Sequence, residues 1–125
     1  MFKRTILIDL DGVLNTYTGA FDEKVIPPIK EGALEFIKNL SVNYKMVIFT
    51  TRNRLLASEW VINNGLKDYV DDVTNVKEPS YLMIDDRCIK FDGNYENLQS
   101  QIDNFKVWYK QDFPTNFCQI RRNLL

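Results

Sequence analysis

The stretch Ile6–Gly19, ILIDLDGVLNTYTG, decides how this chain is read. Ile6, Leu7 and Ile8 form a short, branched, continuously apolar run of the kind that becomes a buried strand. Two aspartates, Asp9 and Asp11, follow at once. A carboxylate at the mouth of a core strand is costly unless something compensates it. In an extended chain residues i and i+2 face the same way, so Asp9 and Asp11 can share one site. Gly12 lets the backbone turn sharply beside them.

The rest of the chain repeats the first strand's character. Lys45–Thr50 (KMVIFT) is a second continuous apolar strand, Tyr69–Thr74 a weaker one interrupted by Asp71 and Asp72, and Ser80–Asp85 (SYLMID) a clearer fourth. Between them, Pro27 and Pro28 open a helix with Ile29, Ala33, Ile37 and Leu40 on one stripe. Asn53 caps a helix that runs through Trp60 and stops at Asn64–Gly65. Asn94 caps a last helix with Leu98, Ile102, Phe105 and Trp108 or Tyr109 on one face. Both tryptophans, Trp60 and Trp108, are expected in the core. Strands that are apolar throughout and alternate with helices predict an α/β fold: a three-layer, Rossmann-like parallel sheet with helices on both faces. One domain is expected over residues 1–110. The tail 111–125, DFPTNFCQIRRNLL from Asp112, is expected to pack on it or be flexible.

Composition narrows the chemistry. The chain has 125 residues, a net charge of −1 and no histidine. Imidazole catalysis, imidazole metal sites and phosphohistidine are therefore excluded. The charge gives no reason to expect nucleic acid or an anionic membrane as partner. No apolar run approaches the roughly 20 residues of a transmembrane helix. No cleavage-site pattern follows the short apolar start, and Cys88 and Cys118 form neither a CxxC pair nor a framework, so a reduced, cytoplasmic protein is expected. Neither cysteine starts a Cys-x5-Arg phosphate loop, since Asn94 and Leu124 stand where the arginine would be. No GxxxxGK[ST] or GxGxxG is present. What is left is carboxylates, hydroxyls, lysine and arginine, a set that suits a hard cation such as magnesium.

In a parallel α/β sheet, ligands bind in the crevice at the carboxyl ends of the strands. Here each strand end carries polar groups: Asp9 and Asp11, then Thr50, Thr51 and Arg52, then Asp85 and Asp86, with Lys77 in the loop before the last strand. Taken singly, these are a turn or cap device, a strand hydroxyl, a solvated strand end and a surface lysine. Taken together and in this order they predict one site. Converging acids repel each other and raise their pKa values, and a divalent metal relieves that. The chemistry such a set can run is phosphoryl transfer, with a carboxylate as nucleophile and a neighbouring carboxylate as acid and base. A two-component receiver domain uses similar groups, but there the acidic pair follows the first strand and a lone Asp ends a middle strand. Neither holds here.

The motifs IDLDGVL, VIFTTR, Lys77 in VKEPS, and LMIDDR resemble, in their order along the chain, those of the haloacid dehalogenase (HAD) superfamily of phosphatases, with a short loop between Lys77 and Asp85. The resemblance covers Ile6 to Arg87. It implies a magnesium-dependent phosphatase that hydrolyses a phosphate monoester through an aspartyl-phosphate. Asp9 would be nucleophile and metal ligand. Asp11 would be the general acid/base, with its backbone carbonyl on the metal. Thr50, with Thr51 as a one-residue-shifted rival, would bind phosphate, Lys77 would stabilise the phosphorylated aspartate, and Asp85 and Asp86 would complete the metal site, Asp86 being the favoured direct ligand. Arg52 is a candidate for substrate recognition, while Tyr17 and Phe21 could stack on a ligand or pack back on the core. Members of this family often carry a cap domain. Asn15–Ile26 is long enough only for a flap and Val73–Lys77 leaves no room for an insert, so a capless protein with an open site is expected. A small phosphorylated molecule is a better substrate than a macromolecule, and an open site with an apolar tail suits a homo-oligomer that covers the crevice. The alternative is a noncatalytic HAD-like domain that binds a phosphorylated ligand or a protein partner.

Overall fold

A computed structural model describes residues 2–110; the 111–125 tail and Cys118 lie outside them. The first strand, β1, runs Arg4–Asp9, as the apolar run predicts. It is followed by α1 (Ala33–Ser41), β2 (Tyr44–Phe49), α2 (Arg54–Asn63), β3 (Asp72–Thr74) and β4 (Leu82–Ile84). The four strands are all parallel, in the order β3-β2-β1-β4. Two compact units divide the chain, one ending at Asp86 and one starting at Arg87.

The first unit holds the sheet. Ile6, Ile8, Met46 and Ile48 point to one face and pack with Ala33 and Ile37 of α1 and Ala57, Trp60 and Val61 of α2. Both helices therefore lie on the same side. The strand order explains why. The chain steps outward from β1 to β2 to β3, and two right-handed crossovers in the same direction put both helices on one face. The connection to β4, residues 75–81, carries no helix. The expectation of helices on both faces is thus met on one face only within this unit, although Leu7 and Val47 on the opposite face are also buried.

Local chemistry sets the element ends. Asn53 accepts a hydrogen bond from the Leu56 N–H (3.0 Å), and the chain leaves α2 through Asn64 and a left-handed Gly65 at φ 75°. The first helix begins later than its proline signal suggests. Pro27 and Pro28 belong to an extended segment in which Lys30 N–H donates to the Leu14 carbonyl (2.8 Å) and Thr16 N–H to the Pro28 carbonyl (2.9 Å), bridging Ile29 to Asn15. A residue before proline is biased to extended backbone, and α1 starts only after Gly32 turns the chain at φ 88°. The predicted Tyr69–Thr74 strand is paired only from Asp72. Yet Asp71 still bonds β2 twice, through its N–H to the Met46 carbonyl (2.8 Å) and its carboxylate to the Met46 N–H (3.0 Å).

The second unit contains α3 (Leu98–Asp103), none of whose residues is buried, and a 3-10 turn at Trp108–Lys110. Here the expected stripe fails. The helix follows Asn97 and ends at Asp103, so Phe105 and Trp108 cannot extend its face, and Trp108 is 42% exposed. Trp60, by contrast, is buried and donates from Nε1 to the Pro27 carbonyl (3.0 Å). Among the described residues, no helix is long and apolar enough to cross a membrane.

Candidate active site

The register fixes where the acids meet. Ile8 of β1 pairs with Ile48 of β2 and with Ile84 of β4. The next residues along, Asp9 on β1 and Asp85 after β4, are therefore neighbours at the carboxyl edge. The connections reverse direction between β1 and β4, which makes this the crevice where open α/β sheets take their ligands. Oxygens of Asp9, Asp85 and Asp86 lie within 4.8 Å of one another. Burial, together with the charges of Asp85, Asp86 and Asp11, pushes the Asp9 carboxyl up to about 7, against the lowering effect of the backbone hydrogen bond at Leu10. A set of three half-buried carboxylates and no nitrogen or sulfur donor can hold a hard divalent cation, which would relieve that repulsion.

Asp11 stands apart from this trio. Its carboxylate is held at both oxygens: Asn15 Nδ2 donates to Oδ1 (3.0 Å) and Arg52 Nε to Oδ2 (2.7 Å). Arg52 is almost fully buried and has further duties. Its Nη1 donates to the Asp22 carbonyl in the flap (2.8 Å), and its guanidinium lies 4.5 Å from the centroid of the Phe21 ring. Its Nη2 is buried without an acceptor among the described residues. One side chain thus joins the end of β2, the acid after β1 and the flap.

Asn15 is the residue that sequence reading missed. It is completely buried. Its Oδ1 accepts from the Gly12 N–H (3.1 Å) and the Tyr17 N–H (3.0 Å), while its amide holds Asp11. Gly12 sits at φ 82°, a left-handed turn that brings its N–H under that oxygen. An asparagine between a glycine turn and a flap looks like an ordinary loop residue; its role exists only once the bridge to Ile29 buries it.

Thr50 is buried at the end of β2. Its N–H donates to the Thr74 carbonyl (3.0 Å) and its Oγ1 accepts from the Arg52 N–H (3.1 Å). A hydroxyl that accepts one bond keeps its proton for another partner. Asn75, also unmarked in the sequence, ties this turn down by donating to the carbonyls of Thr50 (2.7 Å) and Arg52 (2.9 Å). Thr51 and Lys77 are both exposed. Lys77 lies two residues past Asn75 on the β3–β4 loop and forms no ion pair among the described residues. The structure therefore gathers Asp9, Asp85 and Asp86, holds Asp11 apart from them through Arg52 and Asn15, and leaves Lys77 on an exposed loop.

No protein-family model matches this chain, and no curated protein is similar to it in sequence. Among solved structures, it is similar to a conserved protein coded by a locus of Bacteroides thetaiotaomicron. The two are 17% identical, with a TM-score of 0.55 over 91% of this chain and 100% of that one. At that identity the likeness concerns the fold, a parallel α/β sheet, and not the chemistry.

Proposed function

We propose that the protein is a capless, magnesium-dependent phosphatase of the HAD type that hydrolyses a phosphate monoester. The observation that carries the reading is the convergence of Asp9, Asp85 and Asp86 at the switch point of the sheet, with oxygens within 4.8 Å. Three acids crowded at the mouth of a core strand weaken the fold unless a ligand uses them.

In this reading Asp9 attacks phosphorus through a carboxylate oxygen, the ester P–O bond breaks, and the departing oxygen takes its proton from Asp11. Asp11 then removes a proton from water, which attacks the phosphorylated Asp9 and releases inorganic phosphate. Magnesium, when bound by Asp9, Asp85 and Asp86, supplies positive charge against the carboxylates and the phosphoryl group. Thr50 donates its hydroxyl proton to a phosphoryl oxygen, where a preorganised donor lowers the barrier most. Lys77 reaches in from its loop to pair with the phosphorylated aspartate. The arginine and asparagine grip holds the Asp11 carboxylate at one point in space, as a group that takes a proton from water there must be held.

The test is phosphate release from a generic aryl phosphate, followed with magnesium present and after chelation. Release that needs the metal is expected. No release under either condition would overturn the proposal.

A further inference from the structure

A cavity of about 670 Å³ opens between the flap and the first turn of α2. Phe21, Glu23 and Lys24 line it from the flap, and Thr51, Arg52, Leu55 and Glu59 from the other side. We infer that this cavity receives the leaving alcohol of the substrate, and that it selects an uncharged alcohol with a flat ring and hydroxyl groups, the chemistry of a nucleoside monophosphate. The inference rests on the phosphatase reading above.

Position argues first. The acid that protonates a leaving oxygen must be within hydrogen-bond reach of it. Arg52 lines the cavity, and the same guanidinium holds Asp11 Oδ2 at 2.7 Å. One side chain, Arg52, thus reaches both the cavity and the proposed acid. Its volume falls within the range of about 300–1,000 Å³ that small-molecule sites occupy, far more than a phosphate alone requires.

Charge argues next. The lining carries Lys24 and Arg52, the latter paired with Asp11, beside two carboxylates, Glu23 and Glu59. Such a wall draws a second phosphate or a carboxylate less than a basic one would, and its acids accept hydrogen bonds from hydroxyl or amino groups. Shape completes the case. Phe21 is 58% exposed and Leu55 70% exposed, so an apolar surface stands ready at the rim. The Phe21 ring is held by its contact with the Arg52 guanidinium, 4.5 Å away, although it sits on a loop. A ring fixed in advance costs less to stack against than a free one.

The experiment compares kcat/KM, with magnesium, for adenosine 5′-monophosphate, adenosine 5′-diphosphate, glucose 6-phosphate and glycerol 2-phosphate. It is run on the wild-type chain and on Phe21→Ala and Phe21→Tyr. The monophosphate of adenosine should be preferred over glycerol 2-phosphate by about tenfold or more, through KM, in line with one aromatic stack. The diphosphate should be the poorer nucleotide. Phe21→Ala should reduce that preference about tenfold and Phe21→Tyr should keep it. Equal use of all four substrates (three esters and the anhydride of the diphosphate), preference for glucose 6-phosphate, or a Phe21→Ala loss identical for every substrate would overturn the assignment while leaving the phosphatase reading intact. Adenosine binding without metal, followed by calorimetry, separates the two claims. If no ester is turned over but adenosine binds and Phe21→Ala weakens it at least tenfold, the cavity assignment holds and the phosphatase reading fails. If adenosine does not bind and nothing is turned over, both fail.

Discussion

Arg52 Nε meets Asp11 Oδ2 at 2.7 Å, and this contact ties the end of β2 to the loop that follows β1. The arginine side chain is 1% exposed and the aspartate 19%. Such a pair sits far enough from water that removing one partner strands the other. The contact also decides where the Asp11 carboxylate stands relative to Asp9, because Asn15 holds its second oxygen. The position of the proposed acid is therefore set by residues on two different connections, before any substrate arrives.

Replacing Arg52 should cost both stability and turnover. Arg52→Ala leaves Asp11 without its cation, and a loss of about 3 kcal/mol is expected. The turnover number should fall about a hundredfold if Asp11 is the acid and base. Arg52→Lys should recover little, since an ammonium cannot serve Asp11, the Asp22 carbonyl and the Phe21 ring together. Urea unfolding and steady-state phosphate release measure the two effects. An unchanged unfolding midpoint in Arg52→Ala would contradict the structural role.

Asn15 offers a second handle on the same carboxylate. Asn15→Ala leaves the Gly12 and Tyr17 N–H groups without their acceptor, costing about 2–3 kcal/mol. Asn15→Asp keeps that acceptor but sets a carboxylate against Asp11. It should therefore lose more activity per unit of lost stability than Asn15→Ala does. Paired melting curves and rate measurements on the two variants check the ordering.

The Asp9 carboxyl, raised from 3.8 to about 7, makes the metal-free protein sensitive to pH. The folded state binds that proton more tightly than the unfolded state. Its contribution to stability is thus full below 3.8 and is lost as pH rises through about 7. Melting temperature in the presence of a chelator should fall between about pH 5 and about pH 8. Asp9→Asn should flatten that decline. Magnesium should restore stability at the higher pH, by about 2–3 kcal/mol at a hundredfold excess over its Kd. A metal-free melting temperature that rises over the same interval would contradict the assignment.

Some of this was legible in the residues and some was not, for reasons that differ by residue. β1 and α2 carry their signals locally: an unbroken branched run for one, an asparagine cap and an Asn-Gly stop for the other. Asp9, Asp85 and Asp86 were legible because parallel strands bring their carboxyl ends to one edge whatever the loops do. The start of α1 was not, since the bridge from Asn15 to Ile29 overrides the proline signal. Trp108 misled because its helical spacing continues past the point where α3 stops. Arg52 suggested substrate recognition by its place after Thr50, yet its nearest partner is Asp11, from the loop after β1. Asn15 gave no signal, since its burial is a product of tertiary contacts.

The most direct test of the central claim compares Asp9→Asn with the wild-type chain in a magnesium-dependent assay of aryl phosphate hydrolysis, with circular dichroism confirming the same fold in both. The account predicts that the variant stays folded, melts no lower than the wild type in chelator at about pH 8, and releases no phosphate. Wild-type rates of metal-dependent hydrolysis from a folded Asp9→Asn protein would contradict it.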